Sequence, residues 1–260
     1  PDGLTIGAMT PGFVPSAVLG ETGVLYDLDK TIYLGSPDGG AQWIFATRKA
    51  LGADSLAKLR GLSGLRIGAQ AVGHPIYLTG RLFAYLLGLK DPRFVTGYTT
   101  QEIDIALLRG EVDGRSNLAE TVVHRSPEWI SKQLVDFHAI IEVQKGIRPS
   151  QFAQVPELET LTKTDLDRKI LALLRGFRAT GSPNILPPGT PKDRVQILQE
   201  AMRKTFRDPE FHKEFKKLAG DDAAPLMAEE LEKAIKDMPR EPEVIEVFKK
   251  LSGADPLPAR

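Results

Sequence analysis

Three times between Leu65 and His124 the chain repeats one pattern: a short apolar run, a polar loop, then a stretch with helical periodicity. Residues 65–69 read as a strand, 70–74 as its loop, and 75–89 as a helix with Pro75 at its first position, where a missing N–H costs nothing. Residues 93–97 form the second strand, Tyr98, Thr99 and Thr100 its loop, and 101–109 a helix that Gly110 ends. Residues 111–114 form the third strand, Arg115, Ser116 and Asn117 its loop, and 118–124 its helix, with Ser116 or Asn117 as N-cap. Strands that alternate with helices predict a parallel sheet joined by right-handed crossovers, so the fold class is α/β.

The flanks fit this frame. Residues 4–9 read as a strand that Thr10, Pro11 and Gly12 stop, and 14–19 as a helix. Runs 31–34 and 42–47 read as strands separated by the turn-rich Ser36-Pro37-Asp38-Gly39-Gly40, and 55–62 as a short amphipathic helix. Residues 137–143 are a fourth buried strand, after which helices are predicted at 165–177, 191–206, 208–218, 228–238 and 242–251. The Gly-, Ser- and Pro-rich stretch 178–188 suits a crossing between domains.

Composition excludes several functions. The 260 residues carry 34 basic and 34 acidic side chains without a basic block, so nucleic acid and anionic lipid find no electrostatic footprint. Cysteine is absent, which removes thiolate metal sites, disulfides and cysteine nucleophiles. His74, His124, His138 and His212 are isolated and form no HExxH pair. Apolar runs such as 170–174 fall far short of the roughly 20 residues that span a bilayer.

In open parallel sheets, ligands lie off the carboxyl ends of the strands, beside helix N-termini that favour anions. The loops there supply hydroxyls, amides, glycine backbone and one arginine, which suits a carboxylate; the same residue types are ordinary helix caps. Gly61-Leu62-Ser63-Gly64 is not a GxSxG elbow, and neither GxGxxG nor GxxxxGK[ST] occurs. Glu102 with Asp104, and Asp221 with Asp222, read as solvated carboxylates. An α/β enzyme acting on a small carboxylate, with His74 as acid or base, stays open as the alternative, as does a ligand-free interaction module.

The order of Pro1-Asp2-Gly3-Leu4-Thr5-Ile6, Gly97-Tyr98 before a helix ending Arg109-Gly110-Glu111-Val112-Asp113-Gly114, Val155-Pro156-Glu157-Leu158, and Pro187-Pro188-Gly189-Thr190-Pro191 resembles a known family. It is that of the substrate-binding receptors of tripartite tricarboxylate transporters, also called Bug-type periplasmic binding proteins. Asp208-Pro209-Glu210-Phe211 and the stretch around Glu229-Glu230 extend the likeness to nearly the whole chain. The resemblance implies a two-lobed α/β clamp, each lobe a largely parallel sheet flanked by helices. Such a clamp closes on a small organic acid and delivers it to membrane permease subunits. It further implies a monomer in the periplasm, no catalysis, no cofactor and no metal.

By the same likeness, residues 1–63 with 181–260 form lobe 1 and 64–180 lobe 2. Thr10, Pro11 and Gly12 then face Gln70, Val72, Gly73, His74, Tyr98, Thr99, Thr100, Gln101, Ser116 and Asn117. Family members open with a signal peptide, a strand, a Gly-rich loop and a helix ahead of the Pro-Asp-Gly turn. The sequence starts at that turn, so lobe 1 is expected to be incomplete at its N-terminus, together with part of the carboxylate cradle. Where many relatives have Tyr-Lys-Gly, Tyr98-Thr99-Thr100 removes a cation, and His74 replaces a small residue near the helix start.

Overall fold

The computed structural model describes residues 2–219 and 222–259, and the chain divides into two units: Pro1–Ala41 with Ala172–Arg240, and Gln42–Leu171 with Glu241–Arg260. The first unit opens with β1 (Gly7–Ala8), α1 (Phe13–Val18) and β2 (Ile32–Ser36). The second then runs through β3 (Trp43–Arg48), α2 (Leu56–Gly61), β4 (Arg66–Gly68), α3 (Pro75–Leu87), β5 (Arg93–Val95) and α4 (Thr100–Arg109). It continues with β6 (Gly114–Leu118), α5 (Ala119–Arg125), α6 (Glu128–Ser131) and β7 (Val135–Ile141). Helix α7 (Asp165–Thr180) carries the chain back into the first unit, which holds β8 (Asn184–Leu186), α8 (Lys192–Arg207), α9 (Pro209–Ala219), β9 (Leu226–Met227) and α10 (Ala228–Lys236). Helix α11 (Pro242–Ser252) returns to the second unit.

The expected parallel sheets are only partly present. In the second unit the strand order is β5-β4-β6-β3-β7; β4 runs parallel to β5 and β6, as the three repeats predict, but β3 is antiparallel to both β6 and β7. In the first unit the order is β1-β8-β2-β9 and every pairing is antiparallel. An apolar run states that a strand is buried and leaves its direction open, which the connections decide. Gly35 sits in β2 at φ +120, where a Cβ would lie 2.7 Å from the Leu226 carbonyl oxygen, so β2 and β9 approach closely only through glycine.

The division of the chain also differs from the expected lobes of 1–63 with 181–260 and 64–180. Strand β3 inserts between β6 and β7, with Ile44 opposite Asn117 and Ile140, and this commits the chain from Gln42 onward to the second unit. Helix α11 is held there by Arg81 of α3, which donates to the carbonyls of Leu251 at 2.8 Å and Asp255 at 2.6 Å, and by the Tyr77 hydroxyl, which donates to the Gly253 carbonyl at 2.9 Å. These contacts join residues 170 to 176 positions apart and leave no local signal.

Each face of the second sheet has its own core. Ile44, Ala106, Leu107, Ala119, Val122 and Trp129 bury the face covered by α4, α5 and α6. On the other face Phe45 meets Phe83 of α3 with ring centroids 5.5 Å apart. Away from the carboxyl ends of β4 and β6, the Asp113 carboxylate accepts from both Arg48 and Arg66. Buried His138 of β7 places Nε2 2.7 Å from the Thr47 hydroxyl. Asp221 of the predicted Asp221–Asp222 turn lies outside the described residues, as does Pro1.

Candidate functional site

Because β4, β5 and β6 are parallel, their carboxyl ends share one edge of the second sheet, and the segments that leave them are neighbours. The Gln70 carbonyl accepts from the Gly97 N–H at 2.7 Å, and the Gln70 side-chain amide donates to the Thr100 hydroxyl at 2.6 Å. The Thr100 carbonyl in turn accepts from the Arg115 guanidinium at 2.9 Å. Gln70, Thr100 and Arg115 are thus linked by direct hydrogen bonds.

Arg115, Ser116 and Asn117 do not form the predicted loop; they lie inside β6. Its residues alternate between faces. The Ser116 hydroxyl points to α3 and shares a 2.8 Å hydrogen bond with Thr79, whereas Arg115 reaches α4 and Asn117 lies opposite Ile44 on that same face. The Arg115 side chain is fully buried. Its Nε donates to the Ser116 carbonyl at 3.1 Å and its Nη1 pairs with Asp104, which is therefore a half-buried counter-ion rather than the solvated carboxylate expected. Burial pushes the Asp104 carboxyl up, and Arg115 opposes that shift.

Asn117 is 3% exposed, and its Oδ1 accepts from the Leu118 N–H at 2.9 Å. Arg115 Nη2 and Asn117 Nδ2 have no hydrogen-bond partner among the described residues. Buried donors without an acceptor cost about 1–3 kcal/mol each and are rare in folded proteins. Here two lie on one face of one strand, Arg115 beside the last residue of β4 and Asn117 near the carboxyl end of β6, with a cationic head among them. Both donors can be met only by an acceptor, and a charged one makes the stronger hydrogen bond.

The remaining predicted residues take smaller roles. His74 is the N-cap of α3, its Nδ1 accepting from the Ile76 N–H at 3.2 Å; the proton of a neutral ring then sits on Nε2. Thr99 caps α4 in a reciprocal box with Glu102, accepting from its N–H at 3.3 Å and donating its own backbone N–H to its carboxylate at 2.7 Å. That carboxylate is exposed, as expected, and also serves the cap. Val72, Gly73 and Gln101 are exposed, and Tyr98 is half-buried against the α4 and α5 core. Thr10, Pro11 and Gly12 belong to the first unit, where they are exposed and the Thr10 carbonyl accepts from the Phe13 N–H at 3.0 Å. The sequence counted Arg115 among the donors of a loop but gave no sign that it is buried in a strand beside Asp104.

Cavities of about 360 Å³ beside Tyr85 and Pro258, and of about 380 Å³ beside Arg48 and Leu134, are not lined by candidate residues. Among the described residues no group of three or more His, Asp or Glu side chains could hold a metal ion, and no helix is long and apolar enough to cross a membrane.

No protein-family model and no curated protein matches the chain. Solved structures do. A ligand-free TctC solute-binding protein from Polaromonas superposes with a TM-score of 0.67 at 14% identity, over 96% of this chain and 78% of that one. The periplasmic binding protein BugD gives 0.53 at 18% identity, over 96% of this chain and 79% of its own. MatC from Rhodopseudomonas palustris, with bound malate, gives 0.53 at 18% identity, over 97% and 80%. The chain therefore has the two-lobed α/β fold of the TctC and Bug-type periplasmic solute-binding proteins.

Proposed function

We propose that this chain is a periplasmic substrate-binding receptor of a tripartite tricarboxylate-type transporter, which binds a small organic acid unchanged and delivers it to membrane permease subunits. The observation that carries this reading is the pair of buried, acceptor-less donors on Arg115 and Asn117 at the ligand-binding edge of a partly parallel sheet. A carboxylate supplies the missing acceptors, and its charge is favoured by the guanidinium and by the N-terminus of α4. MatC, which shares the fold, holds malate. Gln70, Val72, Gly73, His74, Tyr98, Thr99, Thr100, Gln101 and Ser116, all of the second unit, are proposed to line or support the same site.

Asn117→Asp tests the reading with a near-isosteric change. The variant keeps an acceptor for the Leu118 N–H and replaces the donating amide with an anionic oxygen that repels a carboxylate. Titration calorimetry with malate and succinate is expected to show binding to the parent chain and a loss of roughly 100-fold or more in the variant, about 2.7 kcal/mol. Equal affinity in both proteins would remove Asn117 from the site.

A further inference from the structure

A third buried donor lacks an acceptor at this end of the sheet. Trp43 opens β3 and is 5% exposed, and its indole N–H has no partner among the described residues. In the cross-strand register it lies opposite Leu118 and Ile141, one step beyond the pair of Ile44 with Asn117. An indole nitrogen donates and never accepts. A slot that needed only an aromatic ring would be filled equally by phenylalanine, without the penalty of an unmet N–H.

The three orphan groups at this edge, on Trp43, Arg115 and Asn117, are all donors. The carboxylate oxygen of Asp136 that also lacks a partner belongs to the opposite end of the sheet, where Asp136 pairs with Thr47. Strand alternation separates the donors further. Trp43 shares the α3 face with Phe45 and Ser116, whereas Arg115 and Asn117 lie on the α4 face. A ligand that satisfies all three carries acceptors at two separated points and reaches Trp43 across the strand ends.

We infer that Trp43 is a ligand-binding and specificity-determining residue, its indole N–H donating to an oxygen of the acid other than the carboxylate oxygens held by Arg115 and Asn117. This inference rests on the receptor reading of the same site. The second oxygen group is a hydroxyl, a carbonyl or a further carboxylate, and acids that carry one are selected over acids with a single carboxylate.

Trp43→Phe keeps the ring and removes the donor. The full chain has two tryptophans, Trp43 and Trp129, so a proton–nitrogen correlation spectrum has two indole signals, which either single Trp→Phe variant assigns. With malate, succinate and propionate as probes, saturating malate is expected to move the Trp43 signal and leave that of Trp129, which is buried in the α4–α6 core. The malate-to-propionate affinity ratio is expected to fall at least fivefold in the variant. Its melting temperature without ligand should stay level or rise, because an unmet donor has been deleted. Saturable malate binding with a stationary Trp43 signal, or an unchanged affinity ratio, overturns the inference and leaves the receptor reading standing. Absence of binding by all three probes to the parent chain overturns both. If the variant does not fold, the signals of the parent chain, assigned with Trp129→Phe, decide the question.

Discussion

Asp113→Ala will destabilise the second unit by about 3 kcal/mol, near the lower end of the range for breaking a buried ion pair. The Asp113 carboxylate accepts from Arg48 Nε at 3.1 Å and Nη2 at 2.9 Å, from Arg66 Nε at 2.9 Å and Nη2 at 2.8 Å, and from the Arg66 backbone N–H at 3.0 Å. It thereby joins the end of β3 to the start of β4. Burial alone would raise its pKa, but these donors outweigh burial and hold the carboxyl at about 2. Alanine leaves two guanidinium groups without their shared acceptor; both are partly exposed, so water recovers some of the loss. Urea unfolding followed by circular dichroism measures the change, and a loss below about 1 kcal/mol would show that the hub contributes little.

His138 will make the protein acid-labile between pH 6.5 and about 4. Burial pushes its pKa down from 6.5 to about 4, with Asp136 pulling weakly the other way. Between these values the unfolded chain binds a proton that the folded chain refuses. The stabilisation is therefore complete above pH 6.5, declines as pH falls toward 4, and amounts to about 3 kcal/mol in total. Asp113 acts in a different window: its contribution is intact above pH 3.8 and is lost as pH falls through about 2. His138→Gln offers an amide to Thr47 but does not titrate. Its stability is expected to be flat where that of the parent chain slopes between pH 6.5 and 4; an identical slope in both would assign the lability to another group.

Much of this fold was legible because its signals are local. Pro75 and Gly110 marked a helix start and end that the structure retains, and the repeated strand-loop-helix pattern located the parallel edge formed by β5, β4 and β6. What escaped depends on partners distant in sequence. The direction of β3 is decided by its pairing with β6 and β7. Arg115, Ser116 and Asn117 read as a loop because they are polar, yet Arg115 is buried by Asp104 and Thr100, and Ser116 by Thr79. Of the predicted site, Gln70 and Thr100 share a hydrogen bond beyond the carboxyl ends of β4 and β5 and Asn117 lies in β6, whereas Thr99 and His74 cap helices. Trp43 carried no sequence signal, since an unmet indole N–H is visible only when its surroundings are known.

The most direct test of the receptor reading is isothermal titration of malate, succinate and propionate into the full chain, with each acid recovered afterwards and identified by NMR. The account predicts saturable one-to-one binding of at least one acid and its return unchanged. Absence of binding by all three, or conversion of the acid to a product, would contradict it.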